Sequence, residues 1–404
     1  MYHDMDEGKY GLPAYSQRRR RGLEDAAVLE ESASFYTALL HKGLQEAADE
    51  ERLPPTLHAM FAGFPKEELL SIAEQKGLDV RHGMRKADVI DWLTKTMLDP
   101  RVMENYFLCL SDEEVSSLQQ LLISPDEFEE EPSHNFEALS TAAYIAETPE
   151  CDLVISRDVA EGFIPLLADK GAELAEKRQK RTWLIDTVLT ANVLYSVTPI
   201  DILCRLYNQG GIGTMKPDEL KKEMKKVPPE FIAGCWRHGD VFISDGLDEE
   251  EIQVILESQG DGDFYIPAPE EIPLFAQGLA LSDHDDRQAL ARFFHETLAY
   301  DEDETVEIIR HIHWSFLAGA PVSFVRDMLK DDGYFAALTK DQDVALRRLL
   351  NQVHDNTRSV TNRGFTPNEI KAQQQEARAK KAARKKAPRS KVVFLKDRNK
   401  EKSH

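Results

Sequence analysis

The densest gathering of metal-ligating side chains in this chain lies between Asp283 and His313: Asp283-His284-Asp285-Asp286, His295-Glu296, Asp301-Glu302-Asp303-Glu304 and His311-x-His313. Imidazoles and carboxylates are the donors a divalent cation takes, and helical connections could bring several together to serve a metal-dependent enzyme. The spacing argues against it. His311 and His313 stand two residues apart, about 200° around a helix, and Asp301 to Glu304 reads as the acidic first turn of a helix continuing through Val306 and Ile309. No metal ligand set is assigned. Other chemical patterns fail on residue type. Gly210-Gly211-Ile212-Gly213 lacks the Lys-Ser/Thr of a phosphate loop and reads as an inter-helix loop. Asp261-x-Asp263 starts like a calcium loop, but Tyr265 and Ile266 stand where an oxygen ligand and a turn glycine are required. There is no G-x-S-x-G elbow, H-E-x-x-H helix or kinase motif set. Cys109, Cys151, Cys204 and Cys235 are far apart with no C-x-x-C pair, which predicts buried thiols rather than a disulfide framework or zinc knuckle. The expectation is no catalytic residue, no cofactor and no enzyme.

The elements that would position any other chemistry follow from charge and periodicity. With 404 residues, 42% hydrophobic and 30% charged, the chain has material for roughly two to four folded units. No run of about 18 apolar residues occurs, and Met1 to Arg21 carries charge where a signal peptide is apolar, so a cytoplasmic chain with no membrane partner is expected. The net charge of −22 is unevenly spread: Lys371 to His404 holds nine Lys and four Arg against three acidic residues, +10, leaving −32 for the rest. An acidic body repels phosphate backbones, so nucleic acid would have to meet local patches or the tail.

Residues 1–22, ending in Arg18-Arg19-Arg20-Arg21, read as a disordered arm. A helical region spans 23–130, its first helix carrying Phe35, Leu39, Leu40 and Leu44 and stopping at Pro54-Pro55. Within it, Phe64-Pro65-Lys66-Glu67-Glu68-Leu69-Leu70-Ser71-Ile72-Ala73 begins a short helix that ends at Lys76 before Gly77, and Arg85 to Lys95 forms a second with Val89, Ile90 and Leu93 on its apolar face. Glu68-Leu69-Leu70-x-Ile72-Ala73-x-x-x-Gly77-Leu78 followed by Met84-Arg85-Lys86-Ala87-Asp88-Val89-Ile90 resembles the small helical module at the N-terminus of the transcription terminator Rho and, more loosely, the SAP helix-loop-helix. The resemblance covers residues 64–97 and implies a helical accessory of a nucleic-acid protein, with contacts through Lys76, Arg81, Arg85, Lys86 and Lys95.

Val102 to Ile123 is again helix-like, and Pro125 to Pro132 is an acidic loop. The region 131–270 reads as helix-plus-hairpin units resembling winged helices. Ala142 to Ala146 and Cys151 to Ile155 form a hairpin around Thr148-Pro149-Glu150, followed by a helix through Phe163 and Leu167. Trp183 to Tyr195 is a helix, Thr198 caps a second, and Lys216-Pro217-Asp218-Glu219 begins a third. Phe231 to Trp236 and Val241-Phe242-Ile243 then flank the turn His238-Gly239-Asp240. Three helices and a hairpin is the winged-helix order, in which the third helix enters the major groove, and here it carries Lys221, Lys222 and Lys225.

The C-terminal helical region, 271–370, includes a helix from Asp343 to Val353 and a capping box at Thr366-Pro367-Asn368-Glu369. Asn356-Thr357-Arg358 to Thr366-Pro367-Asn368-Glu369, with Phe264-Tyr265-Ile266-Pro267, is similar to uncharacterised bacterial proteins that often end in a cysteine-rich SEC-C zinc motif. That motif is absent here, and the basic tail 371–404, with Lys380, Lys381, Arg384, Lys385 and Lys386, stands in its place. The tail is helix-permissive in its Gln- and Ala-rich part and disordered beyond Pro388. The expected molecule is mainly α with small β-hairpins, multi-module, a regulatory or adaptor protein binding DNA or RNA weakly through the Rho-like module and tail. A protein-interaction scaffold without nucleic-acid binding is the alternative, and the metal-dependent enzyme a further one.

Overall fold

The structure is a computed structural model that describes residues 55–76, 83–123, 137–147, 153–168, 171–278, 285–335 and 337–386. The expected N-terminal arm and first helix, the link through Val80, the acidic loop at 125–132, Cys151 and the tail beyond 386 lie outside the described residues.

Apolar spacing and capping residues build the first helices. Thr56 caps α1 (Leu57–Gly63), accepting from the Ala59 amide. Helices α2 (Lys66–Gln75) and α3 (Lys86–Met97) follow. Leu57, Phe61, Leu69, Ala73, Val89, Ile90, Leu93 and Met97 are all buried and belong to one apolar core that α1, α2 and α3 share. The helix-like stretch 102–123 is two helices, α4 (Pro100–Phe107) and α5 (Asp112–Ile123). The break has a local cause: the Glu114 amide donates to Ser111 Oγ and the Ser111 amide to Glu114, a reciprocal cap that starts a new helix.

After α6 (Glu137–Thr141), strands β1 (Ile145–Glu147) and β2 (Leu153–Ile155) pair antiparallel, Ile145 opposite Ile155. Helix α7 (Arg157–Ala168) then leads to α8 (Gly171–Tyr195), 25 residues long. Thr198 does not cap a helix. It lies in strand β3 (Val197–Pro199), paired with Phe242, because Val197 and Thr198 are buried and their backbone finds its partners in a sheet. Next come α9 (Ile200–Asn208), α10 (Pro217–Met224), a 3-10 turn at Pro229–Ile232, and strands β4 (Trp236–His238) and β5 (Val241–Ile243). The three strands pair in the order β3-β5-β4. The run from α8 to β5 is thus helix, strand, helix, helix, strand, strand.

Helix α11 (Glu249–Gln259) precedes α12 (Ile272–Ala276). The sequence places α12 in the C-terminal region beginning at 271, yet Ile272, Phe275 and Ala276 are buried in the first core, and Thr190 on α8 donates to the Ile272 carbonyl. One apolar core therefore spans elements from α1 to α12, with Val197, Ile243 and Ile255 forming a small separate cluster between β3, β5 and α11. A second holds α13 (Asp285–Arg292), a π-turn at Phe293–Thr297, α14 (Glu302–Leu317), α15 (Val322–Asp331) and α16 (Lys340–Asn356), through Leu290, Phe294, Ile308, Ile312, Phe316, Leu346 and Leu350. Helix α17 (Pro367–Lys386) ends the described chain and starts at the expected box: the Glu369 amide donates to Thr366 Oγ1, and the Thr366 amide to Glu369. Among the described residues the molecule is mainly helical with two small antiparallel sheets, as its sequence patterning predicts.

The turn before α17 is locked to α8. Gly364 has φ of +77°, and a Cβ there would stand 2.8 Å from the Tyr195 ring. Gly364→Ala is expected to cost about 1–3 kcal/mol, measured by urea unfolding, because alanine pays for both the left-handed backbone and the overlap.

Candidate nucleic-acid interface

The cations of the N-terminal module are largely used by the protein itself. Lys76 does not face solvent: its side chain is 7% exposed, 3.5 Å from Glu230, whose own side chain is 3% exposed. Its ammonium donates to Tyr106 Oη at 3.2 Å and lies over the Tyr106 and Tyr144 rings, while Tyr106 Oη donates to Glu230 at 2.7 Å. Burial pushes the Lys76 pKa below its ordinary value, and Glu230 partly offsets this. Lys76 is therefore removed from the candidate contacts. Its position at the end of α2 brings it against Glu230 in the turn after α10. Arg85 is exposed but forms a bidentate bond with Asp88 at 2.9 Å, which raises the guanidinium pKa and lowers that of the carboxyl. Lys86 Nζ donates to the Ala62 carbonyl at 2.8 Å, satisfying the end of α1. Lys95 is exposed in the last turn of α3. Arg81 lies outside the described residues.

Around α10 the pattern is mixed. Lys221 bridges to Asp240 in the hairpin turn and lies 3.8 Å from Asp218. The Lys221 contact lowers the Asp240 pKa. Lys222 and Lys225 are exposed, with Asp218 and Glu219 exposed in the first turn of the same helix. The C-terminal end of α10 is clamped by residues that sequence reasoning passed over. Buried Arg181 on α8 donates to Asn105 at 3.0 Å, to the Lys226 carbonyl at 3.2 Å and to Glu223 at 3.3 Å, a cation where the helix leaves unpaired carbonyls. The hairpin adds Trp236, 41% exposed, with exposed Arg237 and His238. An aromatic and two basic side chains beside the Gly239 turn were a readable signal for a surface feature. The Ile200 amide donates to the Asp240 carbonyl at 2.9 Å and seats this turn on the start of α9.

Helix α17 differs from both. Every residue from Lys371 to Lys380 is exposed. From Lys371 to Lys386 the helix carries seven cations and one carboxylate, Glu376. Lys371 meets Asp355 at 2.8 Å and Lys380 meets Glu376 at 3.4 Å. Lys381, Arg384, Lys385 and Lys386 continue the same helical backbone.

Of the histidine and acidic cluster, Asp283 and His284 lie outside the described residues, and the described members do not come together. Asp301 and Glu304 cap α14, His311 is exposed while His313 is buried, and the imidazole of His295 contacts the Tyr300 carbonyl at 2.8 Å. Among the described residues no group of three or more His, Cys, Asp and Glu could hold a metal ion, so the metal-enzyme alternative has no support. Cys109, Cys204 and Cys235 are free and buried, and burial pushes the thiols of Cys109 and Cys235 up to about 12. Among the described residues no helix is long and apolar enough to cross a membrane. Comparison with family models, with curated proteins and with solved structures finds no match to this chain.

Proposed function

We propose that this protein is a cytoplasmic adaptor or regulatory protein that binds nucleic acid weakly through α17 and the basic sequence after it. The observation that carries the reading is the helix itself, solvent-exposed along 371–380 and basic to Lys386. A helix with no apolar stripe gains nothing from packing. Its like charges at i,i+3 and i,i+4 spacing, Arg378 with Lys381, Lys381 with Lys385 and Lys380 with Arg384, work against it in isolation. A phosphate backbone relieves that repulsion and releases its own counterions. The acidic body disfavours a second, extended contact, which keeps the affinity low. The order helix, strand, helix, helix, strand, strand with strands paired β3-β5-β4 supports a winged-helix reading of the α8–β5 run, as the body that presents Lys222, Lys225 and the hairpin turn as a secondary contact.

The test is a fluorescence-anisotropy titration of a labelled 20-mer duplex and a single strand across salt concentrations. Affinity should fall steeply with salt. Arg378→Gln/Lys381→Gln/Lys385→Gln should flatten the duplex log–log slope by about 2–3, at roughly 0.9 for each phosphate no longer neutralised. Salt-independent binding, or a triple variant that binds like the parent, rejects the reading.

The scaffold reading is favoured by a different observation. Lys76, Arg85 and Lys86 are satisfied within the chain, and Val306, Phe324 and Val344 on the C-terminal helices are exposed apolar side chains of the kind found at protein contacts. It becomes the better account if the oligonucleotides fail to bind at low salt.

A further inference from the structure

Every residue of the β4–β5 hairpin from Trp236 to Asp240 is exposed. Of the chain's four tryptophans, Trp183 is buried, Trp92 and Trp314 are half-buried, and Trp236 alone is exposed. The protein covers part of the indole and so fixes the ring, while the rest stays open to a partner. Strand β4 is the edge of the β3-β5-β4 sheet, so no further strand flanks it. Trp236 lies opposite Ile243 and His238 opposite Val241, which puts both rings on one face of β4, with centroids 6.4 Å apart and planes at 76°. Arg237 leaves the strand on the other face, and its Nη1 donates to the Gly239 carbonyl. Cations stand beside this hairpin. Lys221 engages Asp240 at its tip, and Lys225, four residues on, shares the same side of α10. Lys222 and Lys225 are exposed and form no ion pair among the described residues. The carboxylate at the tip is thus occupied, and the lysines beyond it are free to meet an anion.

We propose, resting on the reading of this protein as a nucleic-acid binder, that the hairpin is its contact for single strands: Trp236 stacks on an unpaired base while Arg237, Lys222 and Lys225 meet the flanking phosphates. An indole accepts the face of any base, so the contact is tolerant of sequence. In a duplex each base face is covered by its neighbours, and the ring finds nothing to stack on. A single strand can splay a base out against it. The free lysines favour this partner over an apolar protein surface, which would strip them of water and return no counter-charge.

The test is fluorescence anisotropy on the full chain with labelled 20-mer oligo-dT, a sugar-phosphate strand of the same length without bases, and a duplex. The parent should bind oligo-dT about tenfold more tightly than the base-free strand, the scale of one stacked base. Trp236→Ala should erase that preference and leave duplex affinity as in the parent, and Trp236→Phe should keep most of it. Tryptophan emission gives a second readout that does not depend on the alanine variant folding. Oligo-dT should quench the parent's emission, and Trp236→Phe should lose that quenching while still binding. A preference retained in Trp236→Ala, an equal loss of affinity for the duplex, or quenching retained in Trp236→Phe overturns the proposal. So does a Trp236→Ala variant that loses self-association and keeps the preference, which assigns the ring to a contact between copies. None of these results touches the α17 reading, which stands or falls on the duplex salt slope of the Arg378→Gln/Lys381→Gln/Lys385→Gln variant. Absence of all binding at low salt rejects both.

Discussion

Glu230→Ala is expected to destabilise the protein by about 3–5 kcal/mol, the scale for breaking a buried ion pair from one side. Lys76 and Glu230 are both nearly excluded from water, and the variant leaves an ammonium among Tyr106, Tyr144 and Phe231 with only a phenol oxygen to bond. Tyr106 Oη loses its acceptor at the same time. Lys76→Met should be costly for the mirror reason. It strands a carboxylate whose Oε2 already has no hydrogen-bond partner. The double variant Lys76→Met/Glu230→Leu should recover most of the loss, since apolar groups of similar size fill the volume with no charge to desolvate. Urea unfolding of the parent, both single variants and the double variant measures the coupling. A loss below about 1 kcal/mol for Glu230→Ala, or a double variant no better than the singles, would show that the pair is neither dry nor coupled. The structural consequence is larger than one contact. Lys76 ends α2 and Glu230 follows α10, so this pair fixes the N-terminal module against the third helix of the α8–β5 run.

Acid is expected to weaken the C-terminal helices well before carboxylate titration is complete. His313 is held near 3 in the folded protein, against about 6.5 when the chain is unfolded. The unfolded state therefore takes up the proton first. The stability conferred by the neutral imidazole is complete above about pH 6.5 and is lost as pH falls toward 3, by about 2 kcal/mol at pH 5 and approaching 5 kcal/mol near pH 3. Arg287 adds to the effect by opposing a second positive charge beside it. His313→Leu should remove this part of the pH dependence, because leucine fills the buried position with nothing to protonate. Urea midpoints at pH 5, 6 and 7.5 for parent and variant decide the matter. Parallel curves mean that His313 titrates normally and is not buried as described.

Much of the local architecture was readable from residue patterns. Thr366-Pro367-Asn368-Glu369 starts α17 where a capping box predicts, Asp301 and Glu304 start α14, and the Val241–Ile243 strand follows the Gly239-Asp240 turn. These features depend on side chains reaching their own backbone within a few residues, or on alternating burial, and such interactions are written in adjacent positions. Ser111 and Glu114 carried the same kind of signal, and their box splits a stretch that periodicity alone reads as continuous helix.

What the chain's order could not reveal was which cation meets which anion. Lys76 looks like any basic residue at a helix end, and its burial depends on Glu230, 154 positions away. Thr198 has the composition of a cap, but a strand from the hairpin more than 40 residues later claims its backbone. His313 resembles a member of a ligand cluster, yet it comes to rest with no hydrogen-bond partner in a separate apolar core. Residue type and short-range spacing determined the helices, the turns and the basic character of α17, because those follow from local hydrogen bonding, periodic burial and composition. Solvent access and charge pairing were decided only by tertiary packing, since both depend on groups that long-range folding brings within a few ångströms.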